Sequence, residues 1–323
     1  MDLAVIVVSA NDARWLTPCL QSIYDRAGDI DLEVIVVENA CTDGTRELVE
    51  TRFPQATVLS SPNRGFAYGN NRGLEHTDAR HLLLINPDTE ILDGELAELV
   101  RRFDAHPQIG LAGVRQIDGE DRPLLTIRRF PSPARALGEA LRSERWPLHP
   151  AWAGERVLRA DAYRGERECD WVSGSCMFVR RHALLAAGML DERFFLYSEE
   201  TDLCLRIRRA GYRILHLPQL TIRHHAGKNG LPPRLVAQDA LSRRLYAYKH
   251  LPAPQRTLFL GAVGLRHALN LAARRQGSRW ALRMLRGGTD YPFVAPPKSA
   301  LGGWVKDSPT SPASEPRAGA LFV

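Results

Sequence analysis

The chain has 323 residues, a formal net charge of +6 and the apolar and charged fractions of an ordinary globular protein, enough for one large domain or two modest ones. Its five cysteines (Cys19, Cys41, Cys169, Cys176, Cys204) show no CxxC spacing, which argues against a zinc site and a disulfide framework. No apolar run reaches the roughly 18–20 residues of a membrane span; Phe259 to Ala273 comes nearest and is interrupted by Arg266, His267 and Asn270. Met1-Asp2 leads into an apolar strand without a basic n-region, so a cytoplasmic protein without a signal peptide is expected.

In chain order, Leu3 to Ser9 reads as a strand buried on both faces, followed by a helix carrying Leu16, Leu20, Ile23 and Tyr24. Leu32 to Val37 is a second buried strand, Thr42 to Thr45 a turn into a helix, and Ala56 to Leu59 a short third strand. Asn63 to Leu74 is glycine-rich and passes into a helix; His81 to Ile85 is the fourth strand, stopped by Pro87. A helix over Leu96 to Phe103 and a strand over Ile109 to Val114 complete an alternation that predicts a doubly wound, mostly parallel sheet. Asp118 to Glu168 reads as a long loop. Trp171 to Val179 is expected as a strand, Ser198 to Ala210 as a helix closed by Gly211, and Arg213 to Leu217 and Leu220 to Arg223 as short strands. Beyond Leu235 the chain is expected to be helical to about Leu285. Ala295 to Arg317, rich in Pro and Ser, reads as a disordered tail.

Three strand ends finish in polar residues: Ser9 and Asn11, Glu38 and Asn39, Asn86 and Asp88. In a parallel sheet these meet at one edge, where open α/β folds bind ligands. Asp88 suits a divalent cation through oxygen ligands, although Asp88 or Asp93 would equally serve to cap the following helix. No GxGxxG follows the first strand, which counts against a nicotinamide enzyme. Gly65 and Gly69 within Asn63 to Gly73 allow close backbone approach to a diphosphate, or simply tight helix packing. Glu199, Glu200 and Asp202 open a helix behind the aromatic run Phe194 to Tyr197. Clustered carboxylates raise one another's pKa, which helps one act as a base near neutral pH. His224, alone more often structural than a ligand, would complete a mixed imidazole–carboxylate cation site with Asp88. From Lys228 to Arg286 the only acid among many Lys and Arg is Asp239, which reads as a solvated basic face or one suited to an anionic membrane.

The segments VIVVSAN, VVENACTDGT, NRGFAYGNNRGL, LLLINPDTEI, WVSGSCMFVRR and LDERFFLYSEETDLCLRIRRAGYRILHLPQLTIRHH stand in this order between Leu3 and His225. Together the chain resembles a family 2 glycosyltransferase with the GT-A fold, in the rhamnosyltransferase-like branch. The resemblance implies an α/β domain, Rossmann-like, over 1–227, with a nucleotide-sugar half (1–115) and an acceptor half (116–227). A basic helical extension (228–290) and a tail (291–323) would follow. It implies donor contacts from Ser9, Asn11, Glu38, Asn39, Asn63, Gly65, Asn70, Asn86 and Asp88. A Mg²⁺ or Mn²⁺ ion would sit on Asp88 and His224, and an acceptor wall would be built from Trp171, Ser173, Gly174 and Ser175. Glu200 matches the family's general base, with Glu199 as its rival and Asp202 orienting the loop or the acceptor. The implied reaction is inverting transfer, first choice L-rhamnose from dTDP-L-rhamnose, to a saccharide or lipid-linked saccharide of the cell surface. A UDP-sugar enzyme and a non-catalytic nucleotide-sugar module are the alternatives. The protein would act in the cytoplasm, with peripheral contact to the anionic inner face of the membrane. The basic segment has too few aromatics for base stacking, so no nucleic-acid partner is expected.

Overall fold

A computed structural model describes residues 1–146, 149–225, 232–289 and 291–293. The first part alternates β1 (Leu3–Ser9), α1 (Ala13–Asp25), β2 (Leu32–Asn39), α2 (Thr45–Arg52), β3 (Thr57–Ser61), α3 (Phe66–Leu74), β4 (His81–Ile85), β5 (Thr89–Asp93), α4 (Leu96–Ala105) and β6 (Ile109–Ile117). Then come β7 (Ile127–Arg128), α5 (Pro133–Ala140), β8 (Arg167–Glu168), β9 (Trp171–Val172), β10 (Cys176–Arg180), α6 (Arg181–Ala187), α7 (Glu199–Arg209) and β11 (Arg213–His224). Helices α8 (Pro233–His250), α9 (Ala253–Ala272) and α10 (Ser278–Leu285) close the described chain.

Nine strands form one mixed sheet in the order β3-β2-β1-β4-β10-β6-β11-β5, with β8 paired to β11. The expected parallel pairing holds for β1 with β2 and β4, for β2 with β3, and for β6 with β11; β10 enters antiparallel between β4 and β6. Both faces are covered, which explains the unbroken apolar runs. In β1, Ala4, Ile6 and Val8 face the core under α3, α6 and α7, while Leu3, Val5 and Val7 face the core under α1, α2 and α4.

Several local expectations change. Trp171 to Val179 is two strands, because Ser173 to Ser175 turns between β9 and β10. The two strands expected beyond Gly211 are one, β11, whose register against β6 shifts between Leu217 and Thr221, where Pro218 offers no N–H. Neither Asp88 nor Asp93 caps α4: its cap residue is Glu95, without a side-chain cap bond, and Asp93 ends β5. The C-terminal helical stretch breaks before Pro252 and at Gly277, whose φ is +81°.

The basic extension is built into the body rather than hung on it. Phe194 shares a buried cluster with Ala237, Leu241, Leu245 and Tyr246 of α8. Arg244 is buried, Arg243 meets Glu155 at 2.9 Å, and Lys249 meets Asp191 and Asp202 at 2.6 Å each, so these charges do not belong to a solvated face. Phe293, assigned with the tail, stacks on Phe195 at 4.7 Å between ring centroids. Residues from 294 onward lie outside the described residues, and with them the Pro- and Ser-rich stretch.

Candidate active site

Parallel pairing sets Ser9 beside Glu38, and Glu38 beside Ser60, at the carboxyl edge of the sheet. Two turns leave this edge with non-glycine residues in the left-handed region, Asn11 (φ 68°) and Ala40 (φ 53°), a strain that tertiary contacts must hold. Asn11 Oδ1 accepts from Thr42 N at 2.7 Å, tying the two turns together. The Glu38 carboxylate accepts from the Ser60 hydroxyl and lies 3.5 Å from Arg46.

Asn39 and Asn70 are buried at the same edge. Each donates through Nδ2, to Gly65 O at 3.3 Å and Phe66 O at 2.9 Å, and each leaves its Oδ1 without a hydrogen bond. Asn63 Oδ1 accepts from Gly65 N at 3.3 Å. Gly65 has φ +102°, and a Cβ there would stand 2.1 Å from the carbonyl oxygen of Phe195. That same carbonyl accepts from Phe66 N at 2.8 Å, so the glycine loop is fastened to the segment that leads into α7. Gly65→Ala should therefore lower stability by about 1–3 kcal/mol, read as a fall in the urea midpoint. An unchanged midpoint would show that this backbone contact is dispensable.

The antiparallel pairing of β5 with β11 sets His224 opposite Thr89, next to Asp88. His225 N donates to Asp88 O at 2.9 Å, and His224 Nε2 lies 3.3 Å from Asp88 Oδ1, a buried atom without a hydrogen bond. An orphaned carboxylate oxygen beside an imidazole is a donor set that fits Mg²⁺ or Mn²⁺ as part of a shell. Among the described residues no cluster of three or more such side chains stands, so most of that shell would come from substrate oxygens and water. Asp12, which sequence reasoning passed over, is buried here. Its carboxyl is pushed up to about 7, chiefly by burial and further by the charges of Asp88 and Asp43. The signal was there in its position one residue after Asn11; its burial was not.

Glu199, Glu200 and Asp202 all open α7, but in different surroundings. Tyr197 (φ 68°) and Ser198 (φ 66°) enter the helix with two successive left-handed residues. Leu196 O accepts from Ser242 Oγ at 2.7 Å, so α8 holds this strained segment as well. Glu199 is buried, and its carboxyl is raised well above the ordinary range, by burial first and then by Glu200. Glu200 is only partly covered; burial of its carboxyl pushes it up to about 7 against the opposing charge of Arg128. Asp202 is fully buried and engaged by Arg206 (2.8 Å), Lys249 (2.6 Å) and His250 (2.6 Å). It ties α7 to α8 and has no oxygen facing an acceptor.

The turn Ser173 to Ser175 joins the two ends. Asn86 N donates to Ser175 O at 2.9 Å, and the Ser175 hydroxyl donates to Gln116 Oε1 at 2.8 Å. A Cβ on Gly174 would be 3.5 Å from Glu200 Cβ. Trp171 is buried, donates to Arg129 O at 2.9 Å and lies under Arg128, whose Cζ is 5.4 Å from the ring centroid. Arg128 was also missed, since it sits in the stretch read as loop and is delivered by the β7–β9 pairing. Of the three acids that open α7, Asp202 faces α8, while Glu200 lies beside the Gly174 turn.

The family model described as "Glycosyltransferase like family 2" matches residues 2–244. An N-acetylglucosaminyl-diphospho-decaprenol L-rhamnosyltransferase of Mycobacterium tuberculosis is 29% identical over 306 residues, covering 88% of this chain and 98% of that protein. The rhamnosyltransferase WbbL of Escherichia coli is 22% identical over 231 residues, 69% of this chain and 83% of that one. Among solved structures, the mannosyltransferase PcManGT of Pyrobaculum calidifontis, in complex with GDP-Man and Mn²⁺, superposes with a TM-score of 0.50 at 19% identity over 88% of this chain and 72% of that one. GalNAc-T7 with UDP, GalNAc and Mn²⁺ gives 0.56 at 12% identity, over 88% and 56%. These last two are likenesses of fold.

Proposed function

This chain belongs to glycosyltransferase family 2 and has the GT-A fold, and from that premise we propose inverting transfer of a hexose from a nucleoside diphosphate to an acceptor hydroxyl. The observation that carries the reading is Glu200, partly accessible beside the Gly174 turn and with its carboxyl pushed up to about 7 by burial. A carboxylate so poised takes the acceptor proton near neutral pH. The freed hydroxyl oxygen forms a bond to the anomeric carbon as the bond to the diphosphate oxygen breaks on the opposite face, which inverts the configuration.

On the donor side, Ser9, Asn11, Glu38 and Asn39 would hold the nucleoside, and Asn63, Gly65 and Asn70 the diphosphate and sugar. The unpaired Oδ1 atoms of Asn39 and Asn70 offer acceptors for donor hydroxyls. Asp88 and His224 would hold a Mg²⁺ or Mn²⁺ ion, with Asn86 alongside; when bound, such an ion neutralises charge on the departing diphosphate. Trp171 and the Ser173, Gly174 and Ser175 turn would form the acceptor wall. dTDP-L-rhamnose is the proposed donor and a lipid-linked saccharide the proposed acceptor, because two of the relatives are rhamnosyltransferases and one bears a diphospho-decaprenol acceptor in its name.

No helix among the described residues is long and apolar enough to cross a membrane. Leu258, Leu265 and Leu269 of α9 and Trp280 of α10 are exposed, with exposed Arg274, Arg275 and Arg279 between and beside them. This is the face proposed to rest on an anionic leaflet.

Melting curves with dTDP, UDP and GDP, each with and without Mn²⁺, test the donor assignment, since a ligand of the folded state raises Tm. The largest cation-dependent shift is expected with dTDP; none with any nucleotide would overturn the reading. In Asp88→Asn the cation-dependent affinity should fall at least about tenfold, because even loss of a ligand's outer partner costs 10–100-fold. An unaltered cation dependence would remove Asp88 from that role.

A further inference from the structure

A second feature lies away from the strand ends. A cavity of about 170 Å³ opens between α5, the loop after it, α8 and α9, and arginines dominate its lining. Two of them are occupied: Arg243 by Glu155 at 2.9 Å and Arg266 by Glu139 at 3.2 Å. Arg128, Arg142, Arg156 and Arg275 also line it, and none forms an ion pair with a described residue. Arg128 Nε is buried with no hydrogen-bond partner. Arg128 and Arg156 are moreover bridged backbone to backbone, which brings like charges together, and the Arg128 guanidinium is held below its ordinary range by burial first and by Arg156 second. The six arginines outnumber the lining carboxylates of Glu139, Glu144 and Glu155, of which Glu155 and Glu139 also favour the charged form of Arg128; the excess of guanidinium groups around a water-accessible hollow calls for a multiply charged oxyanion, which accepts their donors in pairs.

An apolar edge runs along the mouth. Arg266 and Asn270 line the cavity one helical turn apart on α9, and the exposed Leu265 and Leu269 precede each of them by one residue, forming the adjacent stripe. Across the α5–α9 contact, Leu137 and Leu141 are exposed beside Ala140 and Arg142, which line the cavity. In the other direction, Arg128 pairs in register with Trp171 and lies over its ring, and the turn that follows Trp171 brings Gly174 beside Glu200, whose ionisation the charge of Arg128 favours.

We infer that this cavity seats the diphosphate of a lipid-linked acceptor, with the lipid chain lying along the leucine stripe and the acceptor sugar directed past Arg128 toward Glu200. The inference rests on the transferase reading above and adds to it the place where the acceptor's charge and its lipid chain are held.

The test uses the full chain without divalent cation, titrated with geranyl diphosphate and, in parallel, inorganic diphosphate. Geranyl diphosphate should bind at least about tenfold more tightly than inorganic diphosphate, with an affinity that falls as salt is raised. Arg142→Ala with Arg275→Ala should weaken it at least about tenfold more, while the melting shift given by dTDP with Mn²⁺ stays as in the unaltered chain; neither arginine has an ion pair to lose, so the fold is retained. Leu265→Ser with Leu269→Ser should weaken geranyl diphosphate and leave inorganic diphosphate unchanged. Equal affinities for the two diphosphates would overturn the lipid component, and an arginine pair variant that binds like the unaltered chain would overturn the site. Arginine-dependent binding of geranyl diphosphate in a chain that responds to no nucleotide would uphold the cavity and overturn the donor reading instead.

Discussion

Glu200→Gln is expected to lower kcat by about 10²–10⁴-fold, the range lost with a positioned general base, while the dTDP-dependent melting shift stays intact. The amide keeps the shape of the carboxylate and cannot accept the proton. The unaltered chain should show kcat/KM rising with pH through about 7, where the buried Glu200 carboxyl ionises, and level above it. The variant should lose that limb. A stability readout separates this from misfolding. The carboxyl is raised in the folded chain from 4.5 to about 7, so the folded state holds a proton that the unfolded state has released, and stability falls as pH rises across that window. The variant, free of this loss, should match or exceed the unaltered chain in Tm at pH 8. Unchanged turnover would remove Glu200 from the role and leave Glu199, which is buried with its carboxyl raised well above the ordinary range, to be tested by Glu199→Gln.

Asp202→Asn should cost about 3–5 kcal/mol, the range for removing one partner of a buried ion pair, measured as a lowered midpoint in urea. Lys249 keeps Asp191 at 2.6 Å, which places the expectation at the lower end, but Arg206 loses the one acid it pairs with among the described residues. Burial alone would raise the Asp202 carboxyl; the bond from His250 and the charges of Arg206 and Lys249 outweigh it and hold it below the ordinary range. Its contribution is therefore present above the unfolded pKa and lost as pH falls through the depressed folded value, and the variant should show a shallower acid limb. A variant with an undisturbed midpoint and abolished turnover would return Asp202 to the catalytic group.

The strands were legible because residues such as Leu82 to Ile85 are buried on both faces and need no polar alternation. Shorter pieces were not: β5, with only Ile91 among its middle residues buried, and α6, seven residues long, lie below the length at which periodicity speaks. Ser173 to Ser175 reads as strand within Trp171 to Val179; it is a turn, held by the bond from Asn86, whose partner is far along the chain. Position in the motifs named the candidates at the sheet edge, but not their surroundings. Asp202 differs from Glu200 by having Lys249 and His250 beside it, and the basic run that seemed surface charge is partly their source. Arg128 had no signal at all, since its place depends on a two-residue pairing with β9.

The central position of β10 has a consequence for biosynthesis. The strand bridges β4 and β6 in the sheet, yet it follows β6 in sequence and belongs to the half read as the acceptor part. While the chain emerges from the ribosome, β1 to β4 can pair as they appear, but the free sides of β4 and β6 stay open until Arg180 is available. Open edges of apolar strands recruit other chains, and non-local closure is slow. A nascent chain stalled or cleaved near residue 115 would therefore be a substrate for chaperones rather than a folded nucleotide-binding half.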